Sequence, residues 1–233
     1  MNMASTTKPN PLIELGVTLI IPAVILMKLS GPEDLGAINA LLLALSFPLI
    51  WGIRDFWNRQ KVNLFAALGV ISTLITGGIG VLELDTQWLA VKEAAVPGLI
   101  GLAVLISTYT RYPLVRTILL NPAMIDVDRL RERLESHGAT QIFETRLLRA
   151  SWMLSSTFFF SSAMNYFLAT YIVVSPAGTP AFNEELGRLT LLSYPFIALP
   201  SMAMMIVVIY YLSRSTRELT GMGFTDFMNV AKD

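Results

Sequence analysis

Apolar runs long enough to cross a bilayer, each closed at its ends by charge or by turn-forming residues, recur along this chain. A spanning helix needs about 20 mostly apolar residues, and in lipid every backbone N–H and C=O must be satisfied internally, so such runs have few alternatives to the membrane helix. Six qualify, over residues 12–29, 35–53, 62–82, 89–110, 150–174 and 189–212. Ser30-Gly31-Pro32-Glu33-Asp34 turns the first into the second, and Glu83-Leu84-Asp85-Thr86-Gln87 turns the third into the fourth. The Pro/Gly-containing loop Ser175 to Arg188, with Asn183 accessible from outside, joins the fifth to the sixth. The predicted fold is all-α: one integral membrane domain over 1–233, built as three hairpins, with residues 111–149 as a cytoplasmic insertion. Composition agrees, since 15 % of residues are charged where soluble domains carry about 25 %. The run after Lys8 is not read as a cleaved signal, because it contains Glu14 and Pro22, lacks a small-residue cleavage site and pairs with a second helix.

The residue inventory removes most chemistry. With no cysteine there is no disulfide, thiolate nucleophile, iron–sulfur cluster or Cys-ligated zinc. A single histidine, His137, cannot build a multi-histidine metal site and is the one residue on which a Ser-His-Asp triad would depend. Gly77-Gly78-Ile79-Gly80 follows no strand and precedes no Lys-Ser/Thr pair, so it is not a phosphate loop. No acid pair or nucleophile elbow appears, and no basic aromatic surface invites nucleic acid. The expectation is a protein that is not an enzyme, with no catalytic residues, no metal and no cofactor.

Positive charge is retained on the cytoplasmic side. The ends and alternate loops on one side hold fourteen of the seventeen basic residues and ten of the seventeen acids, leaving +4 there and −4 opposite. Both termini are therefore placed in the cytoplasm, and the zero net charge conceals a strong separation. A basic cytoplasmic face of this kind also suits anionic headgroups.

Within the insertion, Ile125, Val127, Leu130 and Leu134 recur at helical spacing among Asp126, Asp128, Arg129, Arg131, Glu132, Arg133 and Glu135. This is the pattern of a short amphipathic helix ending at Gly138, with His137 in a last turn that favours a cation. A second segment, Gln141 to Arg149, feeds into the fifth span. The pair either lies on the inner leaflet or docks under the bundle, and the alternating charge signs favour docking. Arg129, Arg131, Arg133, Arg146 and Arg149 form its candidate interaction surface.

Inside the spans, small residues mark packing seams: Gly36, Ala40 and Ala44 on the second helix, and Ala94 and Gly98 on the fourth. Pro22, Pro48, Pro97, Pro195 and Pro200 mark kinks, whether ordinary or lining a cavity. Ionisable groups are the sharper signal, because a charge in hydrocarbon costs about 3 kcal/mol or more unless it pairs or snorkels. Lys28, Lys92 and Glu93 fall toward the outer ends of their helices, and with Asn165 they make a candidate outward polar pocket. Trp51, Trp57, Trp88 and Trp152 lie near span ends, as in an interfacial belt.

The order of these features resembles the bacterial intracellular septation protein A (YciB) family. The shared pattern is Ile21-Pro22 followed by Lys28-Leu29; Gly77-Gly78; Trp88 leading to Lys92 and Gly98-Leu99; Tyr112-Pro113-Leu114-Val115; then Arg149 opening a helix with Phe158-Phe159-Phe160 and Asn165-Tyr166. It covers most of Pro11 to Arg214, and Lys28, Lys92, Arg149 and Asn165 carry over best. This chain departs in its longer charged insertion, Asp126 to Arg149, and its longer C-terminal tail. The resemblance implies a multi-pass protein of the bacterial inner membrane that serves septation and envelope integrity without an established reaction. Its implied partners are membrane lipids, envelope or division proteins and a second copy of itself. The alternative is a small transporter, channel or lipid scramblase built around the polar pocket.

Overall fold

The computed structural model describes residues 15–59, 64–110, 113–119 and 125–228. The starts of the first and third expected spans, and Lys8, Lys61, Arg111 and Lys232 of the charge partition, lie outside the described residues. Among the described residues the chain is all-helical, with no strand beyond one isolated antiparallel bridge between Ile125 and Met228. Three helical stretches are long and apolar enough to cross a membrane: Ala37–Arg54, Gln87–Ser107 and Pro180–Thr220. Only 17–22 % of each apolar window is buried within the protein, so most of its residues are at least partly exposed. An exterior of that kind suggests a membrane protein. Gly16–Lys28 and Leu68–Val81 are shorter apolar helices.

The described residues form two compact units. The first comprises residues 1–93 and 165–196. It holds a π-helical turn, Gly16–Ile20, then α1 (Ile21–Lys28), α2 (Ala37–Arg59), α3 (Leu64–Val81), the start of α4 (Gln87–Ser107), the end of α7 (Thr140–Ile172) and α8 (Pro180–Ser193). Here α1 packs on α8 and α2, and α2 packs on α3. Glycine permits the approach: a Cβ at Gly187 would lie 2.9 Å from the Ala23 carbonyl, and one at Gly80 would collide with Leu41. Ala40 and Ala44 are fully buried, whereas Gly36 precedes α2 in the left-handed region (φ +75°) and works as a turn residue. Its N–H donates to the Gly31 carbonyl at 3.0 Å, closing the turn after α1.

The expected loop Ser175 to Arg188 is shorter than its composition suggests, because α8 begins at Pro180. Thr179 is the cap: its Oγ1 accepts from the Phe182 N–H at 3.2 Å, and proline follows at a position where its missing N–H costs nothing. Asn183 is consequently buried rather than accessible, donating through Nδ2 to Ser30 Oγ at 3.0 Å and to the Ala37 carbonyl at 2.7 Å. The Glu185 carboxylate accepts from the Val174 and Ser175 N–H groups and from Ser175 Oγ at 2.7–3.0 Å, fastening the chain that leaves α7.

The second unit comprises residues 94–164 and 197–233. It holds the rest of α4 and α7 with α5 (Leu114–Leu119), α6 (Val127–Ser136), α9 (Leu199–Thr220) and a 3-10 turn, Phe224–Phe227. Small residues bring α4 against α7. Ser162 Oγ donates to the Ala94 carbonyl at 2.8 Å, Ser155 Oγ donates to the Gly101 carbonyl at 2.9 Å, and a Cβ at Gly98 would meet Ser162 Oγ at 3.0 Å. Val104, Leu147, Ala150, Val208 and Leu212 form the adjoining apolar core. Elsewhere in α7 and α9, several buried hydroxyls bond carbonyls one turn back, as Ser151 does to Leu147 and Thr216 to Leu212, whereas the buried Ser201 Oγ has no partner among the described residues.

The amphipathic segment is the helix α6. Asp126 caps it by accepting from the Arg129 N–H at 3.0 Å, and Gly138 (φ +61°) turns the chain behind it. His137 stands at its end with Nδ1 2.8 Å from the Arg133 carbonyl. Its apolar edge is covered by protein, since Ile125, Leu130 and Leu134 pack with Ala139, Phe143 and Phe227. The C-terminal side thus closes the insertion, the Asp126 N–H donating to the Phe227 carbonyl at 2.8 Å. α7 starts at Thr140 and runs without a break through the second polar segment. At 33 residues it is long enough to cross a membrane, but early charges, serines and Asn165 dilute it, and it is not among the three apolar stretches.

Of the five prolines, Pro48 and Pro97 lie inside unbroken α-helix, whereas the other three adjoin or lie in irregular turns. The π-helical turn Gly16–Ile20 ends just before Pro22, and the second such turn, Tyr194–Ala198, contains Pro195 and precedes Pro200.

Candidate functional site

Each unit contains one charged cluster that an apolar exterior makes conspicuous. In the first unit, Lys92 sits one turn into α4 with 9 % of its side chain exposed. Its Nζ lies 2.7 Å from Glu93 Oε1 and donates to Thr76 Oγ1 at 2.7 Å and to Ser72 Oγ at 3.2 Å. An ammonium has three donors, and these contacts engage all three. Ser72 and Thr76 reach it from one face of α3, four residues apart, and Thr76 is itself buried. Glu93, at 30 % exposure, keeps the carboxylate partly open. Lys28 is exposed at the end of α1, and among the described residues no hydrogen bond or ion pair joins it to this cluster. Asn165 is half-buried on α7 and has a partner. The residues of the expected pocket thus include one tight group, Lys92 with Glu93, and the sequence pointed to neither Ser72 nor Thr76. Their signal was present: two hydroxyls spaced four apart opposite a membrane lysine.

In the second unit, α7 and α9 enclose a cavity of about 430 Å³. Arg146, Arg149 and Met153 come from one face of α7, and Val207, Arg214 and Glu218 from one face of α9, at spacings of three, four and seven residues. Glu218 ties two of the arginines. Its Oε2 lies 2.7 Å from Arg146 Nη1 and its Oε1 lies 2.8 Å from Arg214 Nε. Arg149 is exposed and makes no hydrogen bond or ion pair among the described residues. Of the expected interaction surface, Arg146 and Arg149 share this cavity. Arg129 instead turns to the C-terminal segment, donating to the Asp226 carbonyl at 3.3 Å and lying over the Phe227 ring, while Arg131 and Arg133 remain exposed on α6. The contribution of α9 could not be read from the insertion, because it comes from more than fifty residues further along the chain.

No group of three or more His, Asp or Glu positioned to hold a metal ion occurs among the described residues. Comparison with protein families, curated proteins and solved structures returns no match.

Proposed function

We propose that this chain is a non-enzymatic, multi-pass protein of the bacterial inner membrane that serves envelope organisation through contacts with lipids and envelope or division proteins. In this reading it has six spans, cytoplasmic termini and a cytoplasmic α6. The observation that carries it over a transporter, channel or scramblase is Lys92. A membrane charge whose donors are all engaged by Glu93, Ser72 and Thr76 is fitted to hold α3 and α4 together, and it leaves no free donor for a passing substrate. The resemblance to the septation family supports the same class, as does the apolar exterior.

Topology is the direct test. Single cysteines at Asp34, Asp85 and Glu184, all exposed, should react with an impermeant maleimide in intact cells, and one at Ser136 should react only after permeabilisation. Asn183 is unsuited to this because it is buried. Deletion of the gene should give a septation or envelope-permeability defect that Lys92→Met with Glu93→Gln largely complements. Normal envelopes in the deletion strain, or strict dependence of a transport flux on Lys92, would overturn the reading.

A further inference from the structure

The cavity between α7 and α9 changes character along its length. At one end stand Arg146, Arg149 and Arg214, opposed by Glu218 alone, for a formal charge of +2. At the other are Met153 and Val207. Along α7 the step from Arg149 to Met153 is about 6 Å, and along α9 the step from Arg214 back to Val207 is about 10 Å, at 1.5 Å per residue. The two helices therefore grade from basic to apolar in the same direction. Val207 is 54 % exposed and Tyr210, between it and Arg214, 62 % exposed, so the apolar end opens sideways rather than into the protein.

We propose that this cavity is a binding site for one anionic phospholipid. The phosphate sits among Arg149, Arg146 and Arg214, and an acyl chain lies along Val207 and Met153. The shared chemistry is that of a phosphate anion, which a free phosphate also offers, but a free phosphate has no use for the apolar end. Glu218 has a defined part in this arrangement. By taking one N–H from each of Arg146 and Arg214 it fixes both guanidinium groups and leaves Arg149, with no internal partner, as the group that the phosphate completes. Guanidinium suits the task, because its planar fork of donors matches phosphate geometry. A volume of about 430 Å³ lies within the usual range for small-molecule sites, about 300–1,000 Å³. The site rests on the membrane reading above and gives its lipid contact a location.

The test uses the full-length protein in a neutral detergent, titrated with dioctanoyl phosphatidylglycerol, dioctanoyl phosphatidylcholine and inorganic phosphate. Thermal midpoint and tryptophan fluorescence report binding, Trp152 lying next to Met153. Phosphatidylglycerol should bind saturably, at least about tenfold more tightly than either other ligand, and more weakly as salt rises. Arg149→Gln should weaken it about tenfold without moving the midpoint of the lipid-free protein, and Arg149→Lys should fall between. Val207→Asn should weaken phosphatidylglycerol and leave inorganic phosphate unchanged. Equal binding of the two lipids, or an unaffected Arg149→Gln, would overturn the site, and inorganic phosphate binding as tightly as the lipid would make it a phosphate site only. The envelope reading fails separately: selective lipid binding with normal envelopes in the deletion strain keeps the site and removes that reading. An envelope defect with no lipid selectivity does the reverse.

Discussion

The two units handle polarity in opposite ways. The first buries it and spends it internally: Lys92 against Glu93, Ser72 and Thr76, and Asn183 against Ser30 and the Ala37 carbonyl. The second keeps its cores apolar, lets most of its buried hydroxyls bond helix carbonyls, and leaves its charges at least partly exposed, on α6 and at the open end of a cavity. In a medium that cannot solvate a charge, a satisfied group holds helices together, while an unsatisfied one at the edge is available to something else.

That contrast can be broken at several points. The largest effect is expected in the second unit, where Leu130→Glu with Leu134→Glu forces two charges into a buried apolar cluster and should cost more than about 4 kcal/mol. Limited proteolysis in membranes would show α6 and the C-terminal segment cut readily while the first unit stays resistant; unchanged resistance would mean that the cluster does not hold α6. Next comes the first unit's ion pair. Glu93→Ala strands an ammonium that is 9 % exposed and should lose about 3 kcal/mol. Adding Lys92→Met should restore most of it, a coupling visible in a double-mutant cycle of thermal midpoints.

Gly187→Ala should destabilise by about 2 kcal/mol, the usual range for an overpacked core, because its methyl meets the backbone carbonyl of Ala23, which cannot rotate away. Denaturation in detergent checks it, with Gly69→Ala as a control, since nothing lies within 4 Å of a Cβ there. The smallest change is expected at Glu218→Gln. It breaks two ion pairs, but both are solvent-exposed and screened by solvent, so the thermal midpoint should barely move. A large loss of stability there would erase the distinction between an internal charge network and an open one.

Sequence periodicity was enough to locate most of the helices, and its failures are of two kinds, local turn chemistry and long separation in the chain. The amphipathic α6 was legible because Asp126, the apolar spacing and Gly138 all lie within fourteen residues of one another. The start of α8 was missed for a different local reason: Pro176, Gly178 and Pro180 read as loop, although Thr179-Pro180 is a helix-opening pair. Gly36 was assigned to a packing stripe because it keeps the four-residue interval with Ala40 and Ala44, and only its positive φ reveals the turn. Lys92 and Glu93 were recognisable as groups needing explanation, but their partners on α3 come 16 and 20 residues earlier, and Asn183 finds Ser30 across 153. Spacing shows that Ser72 and Thr76 share a helix face, but not which distant side chain that face meets. The basic end of the cavity was half visible, through Arg146 and Arg149, for the same reason.

The closure of α6 by Phe227 has a consequence for the order in which the protein is made. Ile125, Leu130 and Leu134 leave the ribosome about ninety to a hundred residues before the ring that completes their cluster, and chains fold largely in the order of their synthesis. Until that ring arrives, α6 has an uncovered apolar stripe beside Ala139 and Phe143. The nascent insertion is therefore sticky for the interval in which the rest of the chain is made, and its final burial is a late, long-range step rather than a local one. A chaperone would find α6 during that interval and lose it once the Phe227 ring has packed.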